Sequence, residues 1–448
     1  MREVAIRDTL SGERRALDPT GQVGIYACGP TVYSRIHIGN ARPYVVFSLF
    51  ARFLRSEGYA TKLVVNVTDI NDKIYAAAAS AGVPSGELAQ QMTAAYFEDT
   101  DRLGVGRPDA EPLATETVAG IVGLIEELVQ GGHAYESGGD VYFRVRSFDG
   151  YGKLSNRRFE DMDQGEEAGS ASLKEDPLDF ALWKAHKEGE DTRWDSPWGP
   201  GRPAWHIECS VMAEQELGTS FAIHGGGSDL LFPHHENEIA QSESAGRPFA
   251  RAWMHNGMVE FGAEKMSKSE GNIFQLKEAL DRYGREAVVL YLISGHYRQP
   301  LAFGPEQMDQ AVAMVERLRN FFREHGDGGG PAASPRLDAF RDALADDFNT
   351  PKALAEMFEL VGEANRGEVS RSDAVPALTE MLELIGLSTL TQPDQGAEAD
   401  SGAQELMAAR EQARAEKDFE RADAIRDQLA EMGWTVRDSS DGPRLVPR

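Results

Sequence analysis

The chain has 448 residues, of which 41% are hydrophobic and 27% charged, and this length predicts roughly two to four globular domains. Its formal net charge of −27 disfavours non-specific binding to nucleic acid or to an anionic membrane, so such a partner would need a local basic patch. Because the chain has a polar N-terminus, no long apolar run and only two cysteines, we expect a cytoplasmic protein with neither a transmembrane helix nor a disulfide framework.

The first elements predict a βαβ unit. A short apolar strand at Val23–Cys28 precedes a helix whose apolar residues run from Val45 to Leu54, and a β-branched strand follows at Thr61–Val67. This order implies a parallel sheet with a right-handed crossover. Ligands of such sheets bind beyond the carboxyl ends of the strands, which is where Cys28 and Thr68 lie.

Residues 85–200 have a different pattern, which predicts an insertion between two halves of the sheet domain. Two helical stretches, Leu88–Leu103 and Thr115–Gln130, lead to a hairpin with Gly138-Gly139 at its turn. An acidic, poorly patterned loop follows at Glu160–Glu175.

The strand pattern resumes at 221–227, and two Gly- and Pro-rich linkers then divide the remaining chain. The predicted units are an α/β domain at 1–324 (insertion at about 85–200, closing region at about 260–324), a linker at 325–335, a helical bundle at 336–390, a linker at 391–402 and a C-terminal domain at 403–448.

Apolar spacing predicts helices in both of the last two units. In the bundle, Phe340, Leu344 and Phe348 recur every four residues. In the C-terminal domain an amphipathic helix from Phe419 to Met432 precedes two strands around an Asp-Gly turn.

Two cysteines and a polar helix predict a metal site. Pro233 suits the first turn of a helix, on which His234 and Glu238 would share one face. Zinc prefers thiolate and imidazole ligands and accepts carboxylate. The four candidate ligands are Cys28, Cys209, His234 and Glu238. From spacing alone His235 and Glu236 are also available, and two buried structural cysteines are an equally good interpretation.

Two distant segments predict a nucleotide site. His37, Gly39 and Asn40 follow the first strand and open the first helix, whose N-terminus favours phosphate. Lys265 and Lys268 lie in the segment KMSKS, where two cations could stabilise developing charge on a triphosphate.

The pairing of HIGN with KMSKS resembles class I aminoacyl-tRNA synthetases. Further segments closely resemble cysteinyl-tRNA synthetases from about Asp18 to the C-terminus: CGPTVY at 28–33, HIGNARP at 37–43, NVTDINDK at 66–73, WHIECS at 205–210, IHGGGSDLLFPHHENEIAQSE at 223–243 and DDFNTP at 346–351. The fourth position of the general motif is His, and Asn40 stands there in this chain.

The resemblance implies a Rossmann-like α/β catalytic domain, an inserted domain, a helical bundle and a small anticodon-binding module. It implies activation of L-cysteine by ATP with Mg²⁺, transfer to tRNA(Cys), one Zn²⁺ per chain held by the four candidate ligands, and a monomer. The implied ATP-binding residues are His37, Gly39, Asn40, Lys265, Ser267 and Lys268, with His37, Asn40, Lys265 and Lys268 catalytic. The implied residues around the substrate cysteine are Gly29, Thr31, Thr68, Trp205 and Asp229.

The C-terminal module carries four candidate contacts to the anticodon: Arg414, Phe419, Asp423 and Asp438. Two other functions remain open at this stage. One is the ligase of mycothiol synthesis, which joins cysteine to glucosaminyl-inositol and lacks the anticodon module. The other is a non-catalytic tRNA-binding paralogue, against which the intact KMSKS segment and the metal candidates argue.

Overall fold

The computed structural model describes residues 1–162, 172–261, 264–265, 274–326, 332–392, 401–416, 418–432, 434–439 and 442–447. Its strands are β1 (Ala5–Arg7), β2 (Arg14–Ala16), β3 (Val23–Ala27), β4 (Thr61–Val65), β5 (Ala134–Ser137), β6 (Asp140–Phe143), β7 (Phe180–Ala185), β8 (Gly201–Pro203), β9 (Ser220–Gly227), β10 (Phe249–Asn256), β11 (Val259–Phe261), β12 (Glu264–Lys265), β13 (Leu301–Phe303), β14 (Trp434–Ser439) and β15 (Gly442–Pro447). Its α-helices are α1 (Ile38–Ser56), α2 (Asp72–Ala81), α3 (Ser85–Asp101), α4 (Val118–Gln130), α5 (Trp205–Leu217), α6 (Glu236–Ser244), α7 (Leu276–Tyr283), α8 (Arg285–Ser294), α9 (Pro305–His325), α10 (Pro335–Ala345), α11 (Thr350–Asn365), α12 (Arg371–Leu384), α13 (Ser401–Ala415) and α14 (Phe419–Glu431).

A four-stranded parallel sheet of order β10-β9-β3-β4 forms the centre of the catalytic domain. Parallel bridges from Val64 to Ala110 and from Val67 to Leu113 add an irregular outer segment. The predicted βαβ unit is confirmed, with α1 joining β3 to β4, although both strands end slightly earlier than predicted. The carboxyl ends of β3, β9 and β10 therefore meet at one edge of the sheet.

Helix α1 packs against β3 and β4 of this sheet and is buried over most of its length. Its apolar residues from Val45 to Leu54 are fully or almost fully buried, as their helical spacing predicted. The close contact between α1 and β9 depends on Gly225 of β9, because a β-carbon there would overlap the ring of Phe47 in α1. This packing fixes the first turn of α1 relative to the strand ends.

The insertion contains an antiparallel sheet of order β5-β6-β7-β8. The predicted hairpin corresponds to β5 and β6, and the predicted helices correspond to α3 and α4. Helix α4 begins at Val118 and not at Thr115, because a 3₁₀ turn occupies Ala114–Glu116. Most of the acidic loop lies outside the described residues.

The C-terminal region from Pro335 to Glu431 is mainly helical, as predicted, with one correction in the bundle. Helix α10 ends at Ala345, and Phe348 has φ +47°, so the four-residue spacing does not mark one continuous helix. Phe348 is nevertheless buried, and its ring lies 5.2 Å from that of Phe50. Helices α13 and α14 and the β14–β15 hairpin share a small apolar core of their own, which includes Ile425 and Leu429.

The structure thus confirms the predicted α/β class with a parallel sheet and a helical C-terminal region. Among the described residues, no helix combines the length and the apolar character required to cross a membrane.

Candidate metal centre and adjoining cavity

Four predicted metal ligands lie close together beneath the carboxyl ends of β3 and β9. The Cys28 Sγ lies 3.7 Å from the Cys209 Sγ, 3.6 Å from the His234 Nε2 and 3.6 Å from the Glu238 Oε1. The His234 Nε2 and the Glu238 Oε1 are 3.1 Å apart. All four side chains are at most 8% exposed. Residues separated by up to 210 positions thus form one buried cluster of sulfur, nitrogen and oxygen donors.

A second arrangement of four ligands is also possible at this position. Cys28, His234, His235 and Glu238 each offer an atom, and these atoms all lie within 4.8 Å of one another. However, the His235 Nδ1 pairs with the His255 Nε2 at 2.8 Å, whereas the Cys209 thiol points at the Cys28 thiol. The Cys28 Sγ therefore lies within 3.7 Å of an atom of each of the other three predicted ligands, and His235 is an alternative to Cys209 in the set of four.

The electrostatics of the cluster fit a cation. Burial raises the pKa of the Cys28 thiol, and the nearby Cys209 and Glu238 raise it further. Burial also raises the pKa of the Glu238 carboxyl and lowers that of the His234 imidazole. Among the described residues, the ion-pair partners of Glu238 are imidazoles only. A soft divalent cation would stabilise the deprotonated donors, and two sulfurs, an imidazole and a carboxylate suit zinc.

Further imidazoles surround the ligands. The His206 Nδ1 lies 2.9 Å from the His234 Nδ1, and the His224 Nε2 lies 2.7 Å from the Glu238 Oε2. Burial lowers the pKa of both His206 and His224 to about 3. Neutral imidazoles in these positions orient the ligands, as outer partners do in protein metal sites.

The local structure around His234 corrects one prediction. Pro233 does not open a helix: it lies in the turn Leu231–His235, where the preceding residue Phe232 has the extended backbone angles φ −140° and ψ 132°. Helix α6 begins at Glu236. His234 and Glu238 still approach each other, because the turn leads directly into α6.

A cavity of about 350 Å³ adjoins the cluster at the strand ends. Its walls include residues from both predicted sites: Cys28, Gly29, Thr31, His37, Gly39, Asn40, Trp205 and Asp229. The Trp205 ring stacks on His234 with centroids 4.3 Å apart, so Trp205 connects the cavity with the cluster. Thr68 is not part of the cavity wall, since its buried hydroxyl accepts from the Asn66 Nδ2 at 3.3 Å.

The predicted phosphate-binding turn lies at the N-terminus of α1. Asn40 caps its own helix, because its Oδ1 accepts from the His37 backbone N–H at 3.2 Å. A β-carbon at Gly39 would lie 2.9 Å from two atoms of the His37 ring, so a larger residue here would displace that ring. Residues 274–276 pair with this turn through a bridge from His37 to Gln275.

The KMSKS segment is described only at its beginning. The Lys265 backbone pairs with Glu260 in an antiparallel ladder. The side chain of Lys265, and all of Ser267 and Lys268, lie outside the described residues. Their predicted roles therefore stay predictions.

The anticodon candidates lie on the C-terminal module. Phe419 is 64% exposed at the start of α14. Asp423 pairs with Arg426 at 3.1 Å, and Arg414 lies 4.0 Å from Glu411. The Asp438 backbone lies in β14, and its side chain lies outside the described residues.

Three family models match the chain in order. Residues 16–313 match the tRNA synthetases class I (C) catalytic domain, residues 339–387 match the DALR domain, and residues 397–443 match the cysteinyl-tRNA ligase anticodon binding domain. The chain belongs to the cysteinyl-tRNA synthetase family. It is therefore an enzyme of the aminoacyl-tRNA ligase type.

Relatives of this family match the chain over almost its full length. A cysteine–tRNA ligase of Rubrobacter xylanophilus is 44% identical, covering 99% of this chain and 100% of its own. One of Chromohalobacter salexigens is 46% identical, covering 98% and 99%.

Solved structures of other synthetases share the fold. The methionyl-tRNA synthetase of Mycobacterium tuberculosis, in complex with methionyl-adenylate, superposes with a TM-score of 0.60 at 16% identity, covering 83% of this chain and 91% of its own. Agrobacterium radiobacter LeuRS in a ternary complex gives 0.61 at 11% identity, covering 84% and 85%.

Two buried polar residues of this region were missed from the sequence. Asn66 accepts from the Gly29 backbone N–H at 2.9 Å, and Asn256 lines the cavity at the end of β10. Both are polar residues at the end of a strand pattern, and that position is the signal that could have found them.

Proposed function

We propose that the chain activates L-cysteine with ATP to cysteinyl-adenylate and transfers the cysteinyl group to the 3′ end of tRNA(Cys). The observation that carries this proposal is the shared cavity. A buried cluster with two thiols and the phosphate-binding turn of α1 open onto the same cavity of about 350 Å³. ATP enters as a substrate with its Mg²⁺.

Zinc is the proposed resident metal, held by Cys28, Cys209, His234 and Glu238. When bound, it supplies an open position that favours a substrate thiolate over the neutral hydroxyl of serine. This provides selectivity that an apolar pocket cannot, because cysteine and serine differ by one atom. The family membership of the chain and the donor set support the assignment.

The residues on the cavity wall would position the substrates for the first step. Asp229 would pair with the cysteine ammonium, while Gly29, Thr31 and Trp205 would enclose its backbone. Thr68 does not line the cavity, and it would contribute to the cysteine site from behind the cavity wall. The cysteine carboxylate attacks the α-phosphorus of ATP, and the bond to pyrophosphate breaks.

The phosphate-binding residues would stabilise charge during this step. Gly39 permits close approach to the helix N-terminus, and the side chains of His37 and Asn40 would donate to phosphate oxygens. Lys265, Ser267 and Lys268 would contribute from the KMSKS segment. The terminal ribose hydroxyl of the tRNA then attacks the cysteinyl carbonyl and releases AMP.

The anticodon would bind to the C-terminal module through Arg414, Phe419, Asp423 and Asp438. The exposed Phe419 ring supports this role, because aromatic side chains stack on splayed bases. We further propose a cytoplasmic monomer with the domain boundaries at 324, 336, 390 and 403 given above. The three family models in chain order support that division.

One assay tests the proposal against both alternatives. The full chain is incubated with ATP and cysteine, and cysteine transfer is measured to tRNA(Cys) and to glucosaminyl-inositol, with zinc measured in the same sample. Transfer to tRNA with about one zinc per chain is expected. Transfer to the amino sugar alone would identify the mycothiol-pathway ligase, and no ATP-dependent transfer would identify a non-catalytic tRNA-binding protein. The match to the anticodon domain at residues 397–443 favours the first outcome.

A further inference from the structure

Asn256 is a buried polar residue on the cavity wall that lacks a partner in the described part of the chain. It is 1% exposed, and neither its Oδ1 nor its Nδ2 makes a hydrogen bond with any residue that the structure describes. An amide presents an acceptor and two donors, and leaving such groups buried and unpaired is unfavourable. Because Asn256 also lines the cavity, a bound ligand is the partner that would satisfy it.

The direction of the Asn256 side chain follows from strand alternation. His255 faces away from α1, since its Nε2 lies 2.8 Å from the His235 Nδ1. Met254 is in register with Gly225, which faces the Phe47 ring of α1. Side chains alternate along a strand, so Asn256 lies on the α1 face together with Met254. This is the face on which the phosphate-binding turn begins.

The position of Asn256 across the sheet indicates which part of a ligand it meets. The strand order places β9 between β10 and β3, and neighbouring strands lie about 4.8 Å apart. Cys28 follows β3, Asp229 follows β9, and Asn256 ends β10. We consider a cysteinyl-adenylate with its thiol at Cys28 and its ammonium at Asp229. Of this molecule, only the group joined to the cysteine carboxylate extends as far as β10. That group is the nucleotide.

The strand end that carries Asn256 is held rigidly. The buried Arg42 of α1 donates to the carbonyl oxygens of Gly257 and Gln299, both at 2.7 Å, and to that of His296 at 3.0 Å. These bonds fix the residue directly after Asn256 to the helix that carries the phosphate-binding turn. The backbone that carries the Asn256 side chain is thus held in place, which favours a defined position for a binding residue.

We propose that Asn256 is a nucleoside-binding residue whose amide pairs with the adenosine of ATP and of the adenylate. The adjacent 2′- and 3′-hydroxyls of the ribose and the N6–N7 edge of adenine each offer a donor beside an acceptor, and an Asn side chain pairs with either. This inference rests on the proposed function, since it assumes that the cavity takes an aminoacyl-adenylate.

The test uses the full chain and three variants: Asn256→Ala, Asn256→Leu and the control Asn365→Leu at the exposed end of α11. Cysteine-dependent pyrophosphate exchange provides KM for ATP and for cysteine. For both Asn256 variants we expect KM for ATP to rise about 10–100-fold, while KM for cysteine and the zinc content stay within about twofold. KM for ATP within twofold of wild type would overturn the inference.

Thermal stability separates binding from a structural role. Asn256→Leu removes a buried amide that has no partner among the described residues, so we expect the variant without ligand to have the same Tm as wild type. We also expect that adding ATP no longer raises the Tm of this variant. A lower Tm with equal increases in both KM values would show a structural role and overturn the inference. The ATP-induced rise is measured without cysteine, so it tests Asn256 even if wild type catalyses no exchange.

Two analogues distinguish the parts of the nucleoside. Wild type is expected to bind either 2′-deoxy-ATP or 7-deaza-ATP more weakly than ATP, and an Asn256 variant should no longer discriminate against that analogue. Lost discrimination against the first assigns the contact to the ribose, and against the second to the base. Equal discrimination by wild type and variants against both analogues would contradict a contact with the nucleoside.

Discussion

Replacing Cys209 by serine is the sharpest test of the metal centre, because the structure leaves Cys209 and His235 as alternatives for one ligand. The Cys209 Sγ lies 3.7 Å from the Cys28 Sγ, close enough for both to bind one ion. Serine keeps the side-chain shape but replaces a thiolate with a hydroxyl that stays neutral at pH 7. We therefore expect Cys209→Ser to lose zinc and cysteine affinity together.

The magnitude follows from the position of each residue. Removing a partner that only orients a ligand costs about 10–100-fold in metal affinity. Losing a direct ligand should exceed this, so we expect at least about 100-fold for Cys209→Ser, or about 2.7 kcal/mol. His235 already pairs with His255 at 2.8 Å, and we expect His235→Asn to fall in the lower range.

The assay measures zinc after dialysis of each full-length variant against a competing chelator, together with KM for cysteine in pyrophosphate exchange. The ATP-induced rise in Tm is the control, and it should persist in Cys209→Ser because the phosphate-binding turn is separate from the cluster. Retention of zinc in Cys209→Ser together with its loss in His235→Asn would refute the assignment and favour the other four ligands.

Three further predictions concern other parts of the molecule. Lys268→Ala should slow adenylate formation strongly while zinc remains bound, and normal pyrophosphate exchange would contradict its role. Gly225→Ala should destabilise the fold by about 1–3 kcal/mol in urea unfolding, because its β-carbon overlaps the Phe47 ring; an unchanged midpoint would contradict this packing. Burial of Asp347 would raise the pKa of its carboxyl. Hydrogen bonds from the Arg298 side chain, the Arg7 backbone and the Tyr297 hydroxyl outweigh this effect and hold that pKa below its usual value. A lowered pKa contributes stability above the unfolded-state value of about 4 that is lost as pH falls. Asp347→Asn should therefore be less stable than wild type at pH 7, with the difference shrinking below pH of about 4; a difference independent of pH would refute the linkage.

Much of the fold was predictable because its signals are local. The strand at Val23 and the helix that follows it are visible in apolar spacing, and the structure has both. Local signals failed where the chain turns within a periodic pattern. Phe348 continues a four-residue spacing, yet it follows the end of α10 and reaches the core with φ +47°. Pro233 suits a helix start, yet it lies in the turn before α6.

The sequence by itself determined the family, the α/β class and the candidate residues, because HIGN, KMSKS and the cysteine-containing segments are short contiguous patterns. Only the tertiary structure decided which candidates meet. Cys28 and Cys209 are 181 positions apart, and their contact depends on the packing of α5 against the sheet. The same holds for the Asn256 amide, which has no hydrogen-bond partner among the described residues, and for His235 as a competing ligand. Distance, burial and the absence of a partner are properties of packed side chains, and no local pattern of residues encodes them.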